Sequence, residues 1–133
     1  MADLPIFIVD TCSLYWYLSE SGRLSKNAQE IFIDADQGKA ILVIPHIVLG
    51  ELYYLLRKQN SPIDFQSTVS ELNQAMQYRI EPHTLEDILA FEQLSAVTEI
   101  HDCLITAMAL RFRVPIITCD SNIKACSEVK TIW

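Results

Sequence analysis

Three short runs of apolar residues recur along the chain, at residues 5–9, 40–44 and 114–118. Continuous apolar runs of this length are typical of strands that are buried on both faces of a parallel sheet. The segments 79–82 and 129–132 are weaker strand candidates, because they contain proline or charged residues. Such residues favour the edges of a sheet, so the pattern predicts central strands flanked by edge strands.

Segments with a helical pattern lie between these runs, with apolar residues three and four positions apart. Their apolar positions are Ala28, Ile31, Phe32 and Ala35; Val48, Leu52, Leu55 and Leu56; and Leu104, Ile105, Met108, Ala109 and Phe112. Ser25 and residues 84–87 have the residue types of helix N-caps, and Pro62 separates the second helix from another near 65–78. Strands that alternate with helices pair in parallel through right-handed crossovers, which predicts a three-layer α/β sandwich. The order of the strands does not follow from this pattern.

The composition is that of one compact domain, with 133 residues of which 50% are hydrophobic, so we expect a single domain over 1–133. The N-terminal segment has no positively charged n-region, and the longest apolar stretch, 40–56, is interrupted by Pro45 and Glu51. These features predict a cytoplasmic protein with no membrane span. In that compartment we expect the four cysteines to be reduced and mostly in the core. The formal net charge of -7 excludes a basic face that coats nucleic acid, so any nucleic-acid chemistry should be local or metal-mediated.

Two aspartates lie at the ends of predicted strands: Asp10 directly after the first run, and Asp120 one residue beyond the run at 114–118. Ligands of open α/β sheets bind at the carboxyl ends of the strands, where the chain reverses its direction across the sheet. An aspartate between a strand and a helix is also a common N-cap. Taken one at a time, the two aspartates fit both roles.

Two further acids lie in the first halves of predicted helices. Glu51 interrupts an apolar helix and needs solvent, a basic partner or a cation, and the adjacent Gly50 predicts a close approach of another element. Asp102 opens the helix that continues through Met108, where the helix dipole already favours a negative charge. The joint pattern of all four acids is more informative than any one of them.

A cluster of carboxylates without His or Cys companions is a hard-oxygen site, which suits Mg²⁺ or Mn²⁺ better than zinc. Such ions serve phosphoryl chemistry, because they neutralise phosphate oxygens and activate water for in-line displacement. The negative net charge is compatible with this, since the metal supplies the positive charge that attracts phosphate.

The chain resembles the PIN-domain family, and within it the VapC-type toxins of type II toxin–antitoxin systems. The segments that carry the resemblance are 8–11, Glu51, 101–109 and 116–120, and it spans essentially the whole chain. The resemblance implies a five-stranded parallel sheet of order 3-2-1-4-5, a Mg²⁺- or Mn²⁺-dependent endoribonuclease, and a metal site of Asp10, Glu51, Asp102 and Asp120. Asp10 and Asp102 would be the firmest ligands. It also implies an RNA substrate, a cognate antitoxin and a homodimer.

Hydroxyl residues beside the acids are candidates for supporting roles. Thr118 has the strand parity of Asp120 and is expected to bond within the cluster, whereas Cys119 is expected on the opposite face. Thr11 and Ser121 are weaker candidates, since hydroxyl residues are common at helix starts in any protein.

Two other function classes remain open. The first is a non-catalytic PIN-like module that binds RNA or protein. The second is an aspartyl-phosphate receiver or phosphatase, although a dehalogenase-type phosphatase would have a second aspartate where this chain has Cys12.

Overall fold

The computed structural model describes residues 3–133 of the chain. The strands are β1 (Ile6–Val9), β2 (Ile41–Pro45), β3 (Tyr78–Glu81), β4 (Ile116–Ile117) and β5 (Thr131–Ile132). The helices are α1 (Thr11–Leu18), α2 (Lys26–Asp36), α3 (His46–Lys58), α4 (Phe65–Gln74), α5 (Leu85–Leu89), α6 (Ile100–Phe112) and α7 (Ser121–Lys124), with a 3₁₀ helix at Ala90–Leu94. Met1 and Ala2 of the predicted domain lie outside the described residues.

The described residues form one five-stranded sheet of order β3-β2-β1-β4-β5, in which every neighbouring pair is parallel. This confirms the predicted α/β fold and the strand order implied by the family resemblance. Right-handed crossovers in a sheet that grows in both directions from β1 place helices on both of its faces. The direction of growth reverses between β1 and β4, so a crevice opens at the carboxyl ends of these two strands.

The main core lies between the sheet and its helices and contains the central strands predicted to be buried. Ile8, Leu42, Ile44, Ile116 and Ile117 are fully buried in it. A smaller cluster joins the 3₁₀ helix to α6 and includes the buried thiols of Cys103 and Cys126. All four cysteines are free, but Cys12 is exposed, so the prediction of mostly core thiols is only half right. In the described part of the chain, no helix has the length and apolar character needed to cross a membrane.

Candidate metal and active site

Asp10 and Asp120 lie at the carboxyl ends of β1 and β4, the strands that flank the crevice. Each also caps a helix. Asp10 Oδ1 accepts a hydrogen bond from the backbone N–H of Ser13 at 2.9 Å. Asp120 Oδ1 accepts one from the backbone N–H of Ile123, also at 2.9 Å. Capping and metal binding, the two roles left open by the sequence, are compatible here. The cap uses only the Oδ1 of each carboxylate, and Oδ2 accepts no backbone N–H among the described residues.

Glu51 lies in α3 with its side chain 31% exposed, and it is held from two sides. Its Oε1 accepts a hydrogen bond from Thr11 Oγ1 at 2.6 Å, which ties α3 to the first residue of α1. Its Oε2 lies 3.6 Å from Nδ1 of His101 in α6. The predicted close approach at Gly50 is wrong: among the described residues, no atom of another element lies within 4 Å of the position a Cβ would take.

Asp102 lies in the first turn of α6, which begins two residues earlier than predicted, at Ile100, with Glu99 as its N-cap. One oxygen of Glu99, Oε2, accepts from the backbone N–H of Asp102 at 2.9 Å, and the other, Oε1, lies 2.8 Å from His101 Nδ1. Glu99 and His101 therefore link two of the predicted ligands, Glu51 and Asp102. Neither was predicted as a site residue, although the spacing of Glu99 and Asp102 matches an N-cap and its third helical residue.

The acids at this edge of the sheet repel one another. Burial, followed by the charges of Asp120, Glu99, Glu51 and Asp10, raises the pKa of Asp102 to about 6. Burial also raises the pKa of Asp10, whose residue is 7% exposed, and Asp120 adds to that shift. Over residues 3–133, no Lys or Arg forms an ion pair with any of the four predicted ligands. Within the described residues, His101 is therefore the only basic side chain in contact with one of these acids, and it contacts Glu51 alone among the four.

The carboxylate oxygens of the cluster are ligands that a divalent cation prefers, but they do not form a complete set of ligands by themselves. Within the described residues, no three His, Cys, Asp or Glu side chains are arranged as ready-made metal ligands. Mg²⁺ commonly keeps several of its waters and takes only one or two carboxylates directly. Asp10 and Asp102 would hold such an ion, with Glu51 and Asp120 acting through water.

The hydroxyl residues around the acids have distinct contacts. Thr11 bonds to Glu51, as described above, and the buried Thr118 accepts from the backbone N–H of Asp120 at 3.0 Å. A hydrogen bond from Thr118 also counters the rise in the pKa of Asp10. Ser121 is exposed, and its hydroxyl forms no hydrogen bond to these acids in the part of the chain described.

Ser13 was not predicted, yet it is part of the framework of this site. Its hydroxyl donates to the carbonyl oxygen of Ile117 at 3.0 Å, which joins α1 to β4. Its backbone N–H is the group that Asp10 caps. Ser13 thereby fixes the position of Asp10 relative to the end of β4.

Two thiols also lie near the acids. Burial, followed by the charge of Asp10, raises the pKa of Cys119. Because β4 ends at Ile117, strand alternation does not extend to Cys119, and its expected place on the opposite face stays a prediction. Burial and the charge of Asp10 also raise the pKa of Cys12 to about 11. Both thiols are protonated near neutral pH, which argues against a cysteine nucleophile.

Comparison with protein families matches residues 7–129 to the model of the PIN domain. No curated protein matches the chain in sequence.

Several solved structures share its fold. VapBC2 from Rickettsia felis, bound to a promoter DNA fragment, has a TM-score of 0.70 at 16% identity, over 96% of this chain and 97% of that one. The sarcin–ricin loop cleaving toxin VapC20 from Mycobacterium tuberculosis has a TM-score of 0.69 at 18% identity, over 94% and 98%. A toxin–antitoxin complex from Klebsiella pneumoniae has a TM-score of 0.66 at 19% identity, over 96% of both chains. At these identities the similarity is one of fold.

Proposed function

Because this chain belongs to the PIN-domain family, a family of nucleases, we propose that it is a divalent-metal-dependent endoribonuclease that acts at the acid cluster. One observation carries the proposal. The charges of Asp10, Glu51 and Asp120 all act on Asp102, and with burial they raise its pKa to about 6. Among the described residues, no Lys or Arg forms an ion pair with any of the four acids. Such a cluster is stable and useful when a cation shares it.

The side chains have separate tasks in this proposal. Asp10 and Asp102 would hold Mg²⁺ or Mn²⁺, and Glu51 and Asp120 would orient water beside it. Thr11 and His101 keep the Glu51 carboxylate in place from two sides. When bound, the metal would neutralise phosphate oxygens and lower the pKa of a water molecule.

The reaction is hydrolysis of an RNA phosphodiester. Water attacks phosphorus in line, and the bond from phosphorus to the 3′ oxygen breaks. The 3′ oxygen takes a proton, which leaves a 3′-hydroxyl on one fragment and a 5′-phosphate on the other. This outcome is taken from the family resemblance.

By the same resemblance, we infer that the chain is a single PIN domain over 1–133 and the toxin of a VapC-type pair. Its proposed partners are a cognate antitoxin, whose basic side chains would suit the acidic crevice, and a second copy of the chain. The apolar side chains of Leu85, Ile88 and Leu89 on α5 are 72%, 46% and 68% exposed, which supports a homodimer through this helix. Light scattering of the wild type and Leu89→Lys tests the dimer, which the charged side chain should dissociate.

Cleavage of purified total RNA tests the proposed activity. We expect the wild type to cut RNA with Mg²⁺ or Mn²⁺, to stop when a chelator is added, and to leave 5′-phosphate ends. Asp10→Asn should fold and fail to cut, whereas Asp34→Asn, on an exposed face of α2, should cut as the wild type does. Cutting by Asp10→Asn at the wild-type rate would refute the proposed site, and absence of metal-dependent cutting by the wild type would favour a non-catalytic module.

A further inference from the structure

A groove of about 340 Å³ lies between α1 and α3. Cys12, Leu55, Arg23 and Gln59 are among the residues that line it. Tyr15 and Trp16 also line the groove. The groove is thus mixed in character, with aromatic side chains, one cation and one amide.

Two of the residues that line the groove, Cys12 and Leu55, lie close in the chain to the acid cluster. Cys12 is adjacent to Thr11, the residue that bonds to Glu51, and the acids Asp10 and Glu51 help to raise the pKa of its thiol after burial. Leu55 follows Glu51 by four residues, so it lies one turn further along the same face of α3. A polymer bound at the acids could therefore extend directly into the groove.

The aromatic side chains of α1 divide between core and groove. Tyr17 stacks on Phe32 with ring centroids 4.4 Å apart, which makes it part of the α1–α2 packing. Trp16 packs against Trp133 at 5.7 Å with the rings tilted by 58°. This contact fixes the orientation of the Trp16 indole, while Tyr15 and Trp16 both remain partly accessible.

Arg23 is exposed, and within residues 3–133 no acidic side chain pairs with its guanidinium. In the same part of the chain, the Gln59 amide forms no hydrogen bond to another side chain. An unpaired arginine is notable in a protein whose formal net charge is -7. It offers a local binding site for phosphate beside a region of strong negative charge.

We propose that this groove binds one nucleotide of single-stranded RNA next to the phosphodiester at the acid cluster, with its base against Tyr15 and Trp16 and its phosphate at Arg23. Aromatic side chains that stack bases, together with a cation for the backbone, are the usual components of single-strand recognition. A protein segment would be favoured by a wholly apolar groove, which this is not. The inference rests on the proposed ribonuclease function and assigns where its substrate lies.

Binding can be measured without cleavage, in the presence of a chelator. The chain has two tryptophans, so Trp133→Phe leaves Trp16 as the only tryptophan, excited selectively at about 295 nm, and keeps an aromatic ring beside it. We expect a mixed-sequence single-stranded RNA of about ten nucleotides to quench Trp16, since the base stacks on it. Arg23→Gln should weaken binding by about fivefold to tenfold and reduce the slope against salt by about one phosphate contact.

Matched controls separate the groove from general charge and aromatic effects. Arg113→Gln changes an exposed arginine before β4, at the opposite edge of the sheet, and should bind RNA as the wild type does. The affinity of the aromatic variants is measured by the anisotropy of labelled RNA. Trp16→Leu should lose affinity, and Trp16→Phe should retain most of it. Tyr54 is 72% exposed and lies outside the groove, so Tyr54→Leu should bind RNA as the wild type does.

The outcomes distinguish this inference from the proposed function. Asp10→Asn should bind the oligonucleotide and fail to cut RNA. If Arg23→Gln and Trp16→Leu bind and cut RNA as the wild type does, the nucleotide groove is refuted while the ribonuclease stands. If the wild type neither binds nor cuts RNA, both proposals are refuted.

Discussion

At the scale of single residues, the site is defined by charge that is left without a partner. Asp102 illustrates this, because burial and four surrounding acids raise its pKa to about 6 from a usual value near 3.8. The same residue is one of the two firmest predicted ligands. A functional position that destabilises the metal-free protein is expected where a bound cation later offsets the repulsion.

Asp102→Asn should therefore stabilise the metal-free protein at pH 7. The folded pKa is raised, so the folded state holds its proton longer than the unfolded chain, and stability falls as pH rises from about 4 through about 6. The asparagine of the variant cannot ionise, so the variant does not lose this stability as the pH rises. Thermal unfolding in chelator should give a higher midpoint for the variant at pH 7 and equal midpoints at pH 3.5. A lower midpoint at pH 7 would contradict the assignment of repulsion to Asp102.

Glu99 and His101 are predicted to position Glu51 and Asp102. Residues that orient metal ligands typically alter metal affinity by about 10- to 100-fold when removed. Glu99→Gln keeps an oxygen for the Asp102 N–H but weakens the contact with His101, so we expect weaker Mn²⁺ binding at unchanged thermal stability. Glu92→Gln, at an exposed acid of the 3₁₀ helix, is the matched control. Equal Mn²⁺ affinity in both variants would show that Glu99 serves only as a cap.

The four acids could be singled out from the sequence because Asp10 and Asp120 follow strands, Glu51 interrupts an apolar helix and Asp102 lies at the start of one. That they form one site was implied by the family resemblance. Ser13 and His101 could not be singled out, since their contacts with Ile117 and Glu51 join separate elements, and Glu99 showed only the local signal of an N-cap. The hydroxyl of Ser13, for example, bonds to Ile117, which is 104 positions away. Nothing in the local sequence of either residue indicates that contact.

At the scale of elements, local signals predicted helix starts well and strand lengths poorly. Ser25 caps α2, and Thr84 and Asp87 form the predicted capping box of α5. β4 and β5 are only two residues each, although strand segments of five residues (114–118) and four residues (129–132) were predicted there. Helix caps depend on side chains within four residues, whereas a strand extends only as far as its neighbours pair with it.

Gly50 in α3 provides a test of helix stability. It lies inside the helix, has no positive φ, and an added Cβ meets no atom of another described element within 4 Å. Gly50→Ala should stabilise the protein by about 0.5–1 kcal/mol, because Ala loses less backbone entropy in a helix. Urea unfolding measures this difference. Destabilisation would mean that another element does approach Gly50.

Arg111 joins α6 to α5 and is more than a helix-end charge. Its guanidinium binds both oxygens of the buried Asp87, at 2.8 and 3.1 Å, and donates to the carbonyl oxygen of Pro82 at 3.2 Å. Arg111→Met should lower the free energy of unfolding by about 3 kcal/mol, because Asp87 would remain buried without its cation. Arg113→Met, two residues along and exposed, should change it by less than about 0.5 kcal/mol. Similar losses in the two variants would argue against the buried pair.

At the scale of the whole molecule, the decisive feature is the order of the strands. Hydrophobic periodicity predicted alternating strands and helices but could not place β4 beside β1. The family resemblance implied that order, and the observed pairing of Val9 with Ile117 confirms it. The pairing brings Asp10 and Asp120 to one crevice, so four acids that are ambiguous one at a time become a candidate site.

Binding of Mn²⁺, followed by electron paramagnetic resonance of the free ion, tests most directly whether these acids form one metal site. We expect the wild type to bind Mn²⁺, and Asp10→Asn, Glu51→Gln, Asp102→Asn and Asp120→Asn each to bind it more weakly, with the largest losses at Asp10 and Asp102. Asp34→Asn should bind it as the wild type does. Equal Mn²⁺ affinity in the wild type and all four site variants would contradict the account.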